Sequence, residues 1–264
     1  MQNAEWKDEN MKILIAIDDT DNMEKGRGTG HLAQELSEMI QEKGYGTCER
    51  ITRHQLLIHE DIPYTSHNSS MCFMAQVRQE DLPQIIRLAQ DFLEREHAPE
   101  SDPGLCVAAM EGIKSPERLI DFGWSAKKTV LNKDLAYSMA QETGIHLSEH
   151  GGTGLGIVGA LAGVGLRLSG NDGEFKGQIK IGQENDIYQV SEICEIGGAD
   201  LVMGLDGTVL HGEEKVLFGR FRKLLLAEGK SVMLVAPLEE KKEGVAWVTC
   251  NKKQLRAFGD ERIV

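Results

Sequence analysis

Apolar positions along the chain alternate between two periods, and the elements follow from them. Met11 to Asp18 is a short, nearly continuous apolar run (Ile13, Leu14, Ile15, Ile17), which predicts a buried strand. Asp19 to Gly28 is a polar turn. In Thr29 to Lys43, Leu32, Leu36, Met39 and Ile40 recur at helical spacing, and Gly44 closes the helix. Thr47 to Ile58 reads as extended, Asp61 to Ser70 as a loop, and Met71 to Val77 as a strand. Glu80 to Glu96 is a second amphipathic helix, Pro99 to Gly104 breaks the pattern, and Leu105 to Met110 is a further strand. Pro116 to Thr143 predicts helix interrupted near Asn132. A glycine loop, Gly151 to Gly156, then leads into a helix of small residues, Ile157 to Leu168.

After Asn171 the texture changes. Phe175 to Ile181 alternates, and Thr208 to Leu210, Ser231 to Val235 and Ala246 to Thr249 are strand-like, with glycine and charged turns between them, as at Glu239 to Gly244. Two domains are expected, 11–170 and a smaller, β-rich 171–264. The fold class is α/β (α+β) in layers. The sheet of the first domain is expected to be mixed, because Thr47–Ile58 and Met71–Val77 have no helix between them.

Composition narrows the function classes. A formal net charge of −13 argues against a broad, non-specific grip on nucleic acid, which needs basic surface to neutralise phosphates. The five cysteines, Cys48, Cys72, Cys106, Cys194 and Cys250, are odd in number and widely spaced. They read as free thiols of a reducing cytoplasm, without a disulfide frame or zinc ribbon. The longest uncharged stretch, Gly151 to Leu166, is shorter than the roughly 20 residues of a membrane helix. No membrane partner is expected, and a homo-oligomer stays open.

Candidate chemistry starts at Ile17-Asp18-Asp19-Thr20-Asp21, at the C-terminal end of the first strand. Crowded carboxylates need a cation or a solvated edge. Oxygen ligands at a strand end suit Mg2+ held between protein and phosphate; a solvated acidic turn is the alternative. Lys25-Gly26-Arg27-Gly28-Thr29-Gly30 follows and runs into a helix. Its glycines and helix N-terminus can receive an anion, with Lys25 and Arg27 adding positive charge. A flexible loop capped by Thr29 is the alternative, and the Walker pattern is not matched.

Gly151-Gly152-Thr153-Gly154-Leu155-Gly156 is a second candidate phosphate cradle at a helix start. The preceding Ile145 to His150 is too polar for the buried strand of a dinucleotide-binding unit. Pro63 to Ser70, with Tyr64 and Asn68, could present polar groups to a ligand. His146 and His150 suit either a metal pair or hydrogen-bond donors near phosphate.

Taken in order, Ile17-Asp18-Asp19-Thr20-Asp21, Gly28-Thr29 with Leu32-Ala33, Ile62-Pro63-Tyr64, Asp102-Pro103-Gly104 and Gly154-x-Gly156-Ile157-Val158-Gly159-Ala160-Leu161-Ala162 resemble the archaeal agmatidine synthetase of isoleucine tRNA. The match covers roughly Met11 to Leu168. The resemblance implies a kinase-like domain that uses ATP and Mg2+ to phosphorylate a cytidine carbonyl oxygen, after which agmatine displaces the phosphate. It implies catalytic and metal roles for Asp18, Asp19 and Asp21, and a phosphoacceptor role for Thr29. The family's basic cluster after Pro-Tyr reads Thr65-Ser66-His67-Asn68 here, and there is no cysteine set for its zinc ribbon. A relative of the kinase-like domain without the OB-fold and ribbon is expected.

The resulting expectation is an ATP/Mg2+-dependent phosphotransferase or ligase acting on a small molecule or RNA. Asp18, Asp19 and Asp21 would hold metal; Lys25, Arg27, Gly28, Thr29, Tyr64, Asn68, Gly152, Thr153, Gly154 and Gly156 would hold nucleotide. A non-catalytic nucleotide sensor and an aspartyl-phosphate phosphatase, suggested by Asp19-x-Asp21, are the alternatives.

Overall fold

The computed structural model describes residues 10–20, 27–62, 68–242 and 244–261. It divides into two compact units, Met1–Leu168 and Ser169–Val264. The first contains β1 (Asn10–Asp18), α1 (Thr29–Glu42), β2 (Gly46–Cys48), β3 (Thr52–Gln55), β4 (Ser69–Arg78), α2 (Leu82–Glu96), β5 (Gly104–Ala109), α3 (Pro116–Ser125), α4 (Lys133–Thr143), β6 (His146–Glu149) and α5 (Gly156–Ser169).

β1 lies between β4 and β5; β6 extends the sheet beyond β5, and β2 and β3 both pair with β4. All these pairings are antiparallel. β2 and β3 lie in line along β4, so the extended segment at Thr47–Ile58 is one strand path broken at Glu49–Ile51, not a hairpin.

Alternation along β1 explains why its sequence is apolar throughout. Ile13, Ile15 and Ile17 pack with Leu32, Leu36 and Ile40 of α1 and Ile85, Ala89 and Phe92 of α2. Leu14 and Ala16 face the other way, onto Leu119, Ala136, Ile157, Ala160 and Leu161 of α3, α4 and α5. Helices therefore cover both faces of the sheet, and each fully buried Ile or Leu contributes roughly 1.5–3 kcal/mol. The α+β class read from the sequence is borne out.

Where one interrupted helix was expected, α3 and α4 are separated by residues 126–132. Asn132 ends the break: its side chain accepts the Leu135 N–H at 3.0 Å and caps α4. The polar stretch before the glycine loop is nonetheless a strand, because β6 is an edge strand whose side chains stay half-buried. It runs antiparallel to β5, so no dinucleotide-binding βαβ unit forms here.

α5 is buried nearly all round. Gly156, Gly159 and Gly163 form one stripe, and a Cβ on any of them would strike a neighbour: Asp102 O at 2.1 Å, Asp18 Oδ2 at 1.6 Å and Ser70 Oγ at 2.3 Å. The glycines are a packing device that brings α5 against the end of β1 and the start of β4.

The five cysteines are free. Cys72 and Cys106 face Ala16 from opposite sides of β1, two strand spacings apart and out of disulfide reach. Burial pushes the Cys72 thiol up to about 12.

The second unit holds β7 (Glu174–Phe175), β8 (Ile187–Gln189), α6 (Val190–Glu195), β9 (Leu201–Gly204), β10 (Val209–Leu210), β11 (Lys215–Leu217), β12 (Leu224–Ala227), β13 (Lys230–Lys242), β14 (Val245–Thr249) and α7 (Lys252–Glu261). β13 pairs antiparallel with β12 and β14 and parallel with β9. The β12–β13 hairpin turns on Glu228 and Gly229, both at positive φ (52° and 72°), the combination that matches strand twist in a two-residue turn. The alternating stretch Phe175–Ile181 contributes only the end of β7; Ile179 instead bonds through its N–H to the Arg222 carbonyl.

Among the described residues, no helix is long and apolar enough to cross a membrane.

Candidate functional site

A cavity of about 240 Å³ opens at the C-terminal end of β1. That is near the lower end of small-molecule sites, roughly 300–1,000 Å³. Asp18, Asp19, Gly28, Thr29 and Gly30 line one part of it, and Gly156 and Gly159 of α5 another. Arg53, Asn68, Ser69 and Met71 come from the β3–β4 pair, and Val130 and Leu131 from the segment between α3 and α4.

Local structure explains why these groups meet. Asp18 is the last residue of β1 and, by alternation, faces α5; its carboxylate sits on the bare Cα of Gly159, where a Cβ would have no room. Asp18 is only 7% exposed. Asp19 has φ of +50°, a sparsely populated conformation for a residue with a side chain, and it turns the chain sharply as it leaves the sheet. α1 then starts at Thr29 with Gly28 as N-cap, without a side-chain cap and without an acid in its first turn. An N-terminus of this kind favours an external anion.

The donor set fits Mg2+. Two hard carboxylates, one of them buried, stand beside an anion-favouring helix start, and Mg2+ is commonly held by one or two carboxylates plus substrate phosphates. Among the described residues no three His, Cys, Asp or Glu side chains gather into a metal cage. Among these residues His146 and His150 therefore have no third ligand of the kind a zinc site needs.

Several expected residues are not on the cavity wall. Arg27 bonds Glu35 at 3.2 Å and Glu96 at 2.8 Å; the Glu96 bond is the main cause of its raised pKa, and its charge is spent on α1 and α2. Gly152, Thr153 and Gly154 are turned to other partners. The Thr153 N–H and hydroxyl both donate to the Asp102 carboxylate, the hydroxyl at 2.6 Å. A Cβ on Gly154 would meet Glu149 Oε2 at 1.7 Å, and Glu149 is held by Lys133 and Tyr137. The anion inside this glycine loop is thus the protein's own Asp102, because the Asp102-Pro103-Gly104 turn enters where a phosphate was expected. Asp21, Lys25 and Tyr64 lie outside the described residues.

Arg53 was missed by sequence reasoning. A single arginine in a short strand has no motif around it; only the alternation of Thr52, Arg53, His54 and Gln55 hints that Arg53 leaves the core.

A separate polar chain runs along β6. His146 Nε2 lies 3.0 Å from Ser148 Oγ, which lies 2.8 Å from His150 Nε2. Burial is the main cause that lowers the pKa of both histidines, and for His150 the Glu94 carboxylate opposes the shift while His97 adds to it. A depressed folded pKa means stability is full above the ordinary value of 6.5 and is lost as pH falls through the folded values. The denaturation midpoint should therefore drop between about pH 7 and pH 5, and His150→Gln should flatten that slope; an unchanged slope in urea titrations would count against a buried neutral His150.

No protein-family model matches the chain. The isoleucine-tRNA 2-agmatinylcytidine synthetase TiaS of Haloquadratum walsbyi is 29% identical over 157 residues, covering 58% of this chain and 32% of that protein. A solved complex of TiaS with its isoleucine tRNA and ATP matches with a TM-score of 0.51 and 26% identity, over 59% of this chain and 36% of that one. A solved tRNA fluorescent labeling enzyme matches at 0.50 and 26%, over the same shares. The chain spans about a third of the length of these relatives. The resemblance read from the motifs is borne out.

Proposed function

We propose that this chain is an ATP-using enzyme of the tRNA-modifying ligase type, and that the cavity at the end of β1 holds the nucleotide phosphates with Mg2+. The observation that carries this is the meeting of Asp18 and Asp19 with the start of α1 in one cavity. A solved relative with the same fold is a complex with an isoleucine tRNA and ATP.

In this reading Asp18 and Asp19 bind Mg2+, which neutralises charge on the phosphates. The N–H groups at Gly28–Gly30 and the α1 dipole receive phosphate oxygens. Thr29 Oγ is the phosphoryl acceptor that the resemblance implies. Its residue is 7% exposed and lines the cavity, so few waters compete with it as acceptor. The final acceptor is RNA or a small molecule. With a net charge of −13, RNA would be gripped locally and not along a broad surface.

Calorimetry with ATP and Mg2+ tests the reading. Binding should require the metal, and Asp19→Asn should weaken it by about tenfold or more, as expected when a charge-assisted contact is lost. Absence of any heat or thermal shift with the wild-type chain would end the proposal. Mass spectrometry after incubation with ATP should find phosphate on Thr29 and none in Thr29→Val.

A further inference from the structure

We propose that Arg53 is the cationic arm of the cavity and grips the terminal phosphoryl group of the bound nucleotide. The inference rests on the reading above and adds a residue that neither the motifs nor the resemblance points to.

Three observations carry it. First, Arg53 is the sole basic side chain among the described residues lining the cavity, whose acids are Asp18, Asp19 and Asp61. A nucleoside triphosphate, at a charge of about −4, together with these carboxylates outweighs one Mg2+ and the roughly +0.5 of a helix start, so a cation on the wall favours phosphate binding. Second, the guanidinium is pre-oriented: Nε donates to Ser69 Oγ at 3.1 Å and Nη2 to Gln55 Oε1 at 2.8 Å. These two bonds fix the plane of the guanidinium, whose fork of N–H donors suits the geometry of phosphate oxygens.

Third, the register puts Arg53 where the phosphoryl group would move. Thr52 and His54 are fully buried on the α5 side, which turns Arg53 to the opposite face. There Ile17, Met71 and Arg53 form a row across β1, β4 and β3, on the face that α1 covers. Thr29, at the start of α1, and Arg53 thus share one face of the sheet and one cavity. An arginine in that place stabilises charge on the transferring group.

The test compares ATP and ADP affinities of the full chain, each with Mg2+. Arg53→Gln should weaken ATP by at least about tenfold and ADP by less than about threefold, with Arg53→Lys intermediate for ATP. Should Arg53→Gln fail to fold, Ser69→Ala, which releases Nε, should show the same ATP-selective loss at smaller size. Wild-type affinity for ATP in these variants would overturn the assignment, and so would an equal loss for ATP and ADP. A wild-type chain that binds neither nucleotide would instead overturn the functional reading beneath it.

Discussion

Gly104→Ala is expected to destabilise the first unit by about 3 kcal/mol or more, because the added methyl would meet backbone and not a side chain that can swing away. A Cβ at this position lies 2.2 Å from Gly156 C and 2.3 Å from Gly156 O and Ile157 N. The start of β5 and the start of α5 touch there through bare backbone, and separating them pulls α5 from the end of β1. For a unit of this size the loss corresponds to a fall in melting temperature of roughly 6–12 °C. Gly207→Ala is the control. Gly207 has φ of +85° and open space around it, so only the left-handed backbone term, about 1 kcal/mol, should be lost. Equal melting of the two variants would refute the close approach of β5 and α5.

Gly159→Ala is expected to leave the unit folded yet remove metal-dependent nucleotide binding. Within a helix, alanine is favoured over glycine by about 1 kcal/mol. Here, however, the new Cβ would lie 1.6 Å from Asp18 Oδ2 and 2.6 Å from its Cγ. The Asp18 carboxylate is the end of a rotatable side chain and can swing aside, so the cost falls on the site and not on the backbone. Asp18→Asn, which keeps shape and removes charge, should show the same loss. Both variants should lower ATP turnover by about 10²-fold, the scale on which a single stabilising contact to a transferring group is felt. A Gly159→Ala chain with wild-type melting and wild-type ATP–Mg2+ affinity would show that Asp18 is not a ligand.

These variants also mark how far the sequence is legible. β1, α1, α2 and α5 follow from local spacing: an unbroken apolar run buried on both faces, two amphipathic stripes and a stretch of small residues. The second unit was less legible, since strands of two to four residues such as β7, β10 and β11 are too short to display a period. For the site, Asp18, Asp19, Gly28, Thr29, Asn68 and Gly156 line one cavity. Arg27 and Gly152–Gly154 do not, although they carry the more eye-catching motif. A glycine-rich loop is permissive and so does not say which anion it encloses, and an arginine beside a helix start is drawn to whatever carboxylates the fold supplies.

The chain's residue order alone determined an α+β architecture, the acidic end of its first strand, a helix start open to an anion and a resemblance to a tRNA-modifying synthetase. Apart from the resemblance, which rests on the order of motifs along the chain, those properties depend on neighbours within a few positions, where spacing acts directly on backbone geometry. Tertiary structure alone decided that Asp102 enters the second glycine loop, that Glu35 and Glu96 take Arg27, and that Arg53 turns into the cavity. Each is a meeting of groups brought together by strand register or helix packing, and the pairing partner is chosen by the whole core instead of by the local pattern.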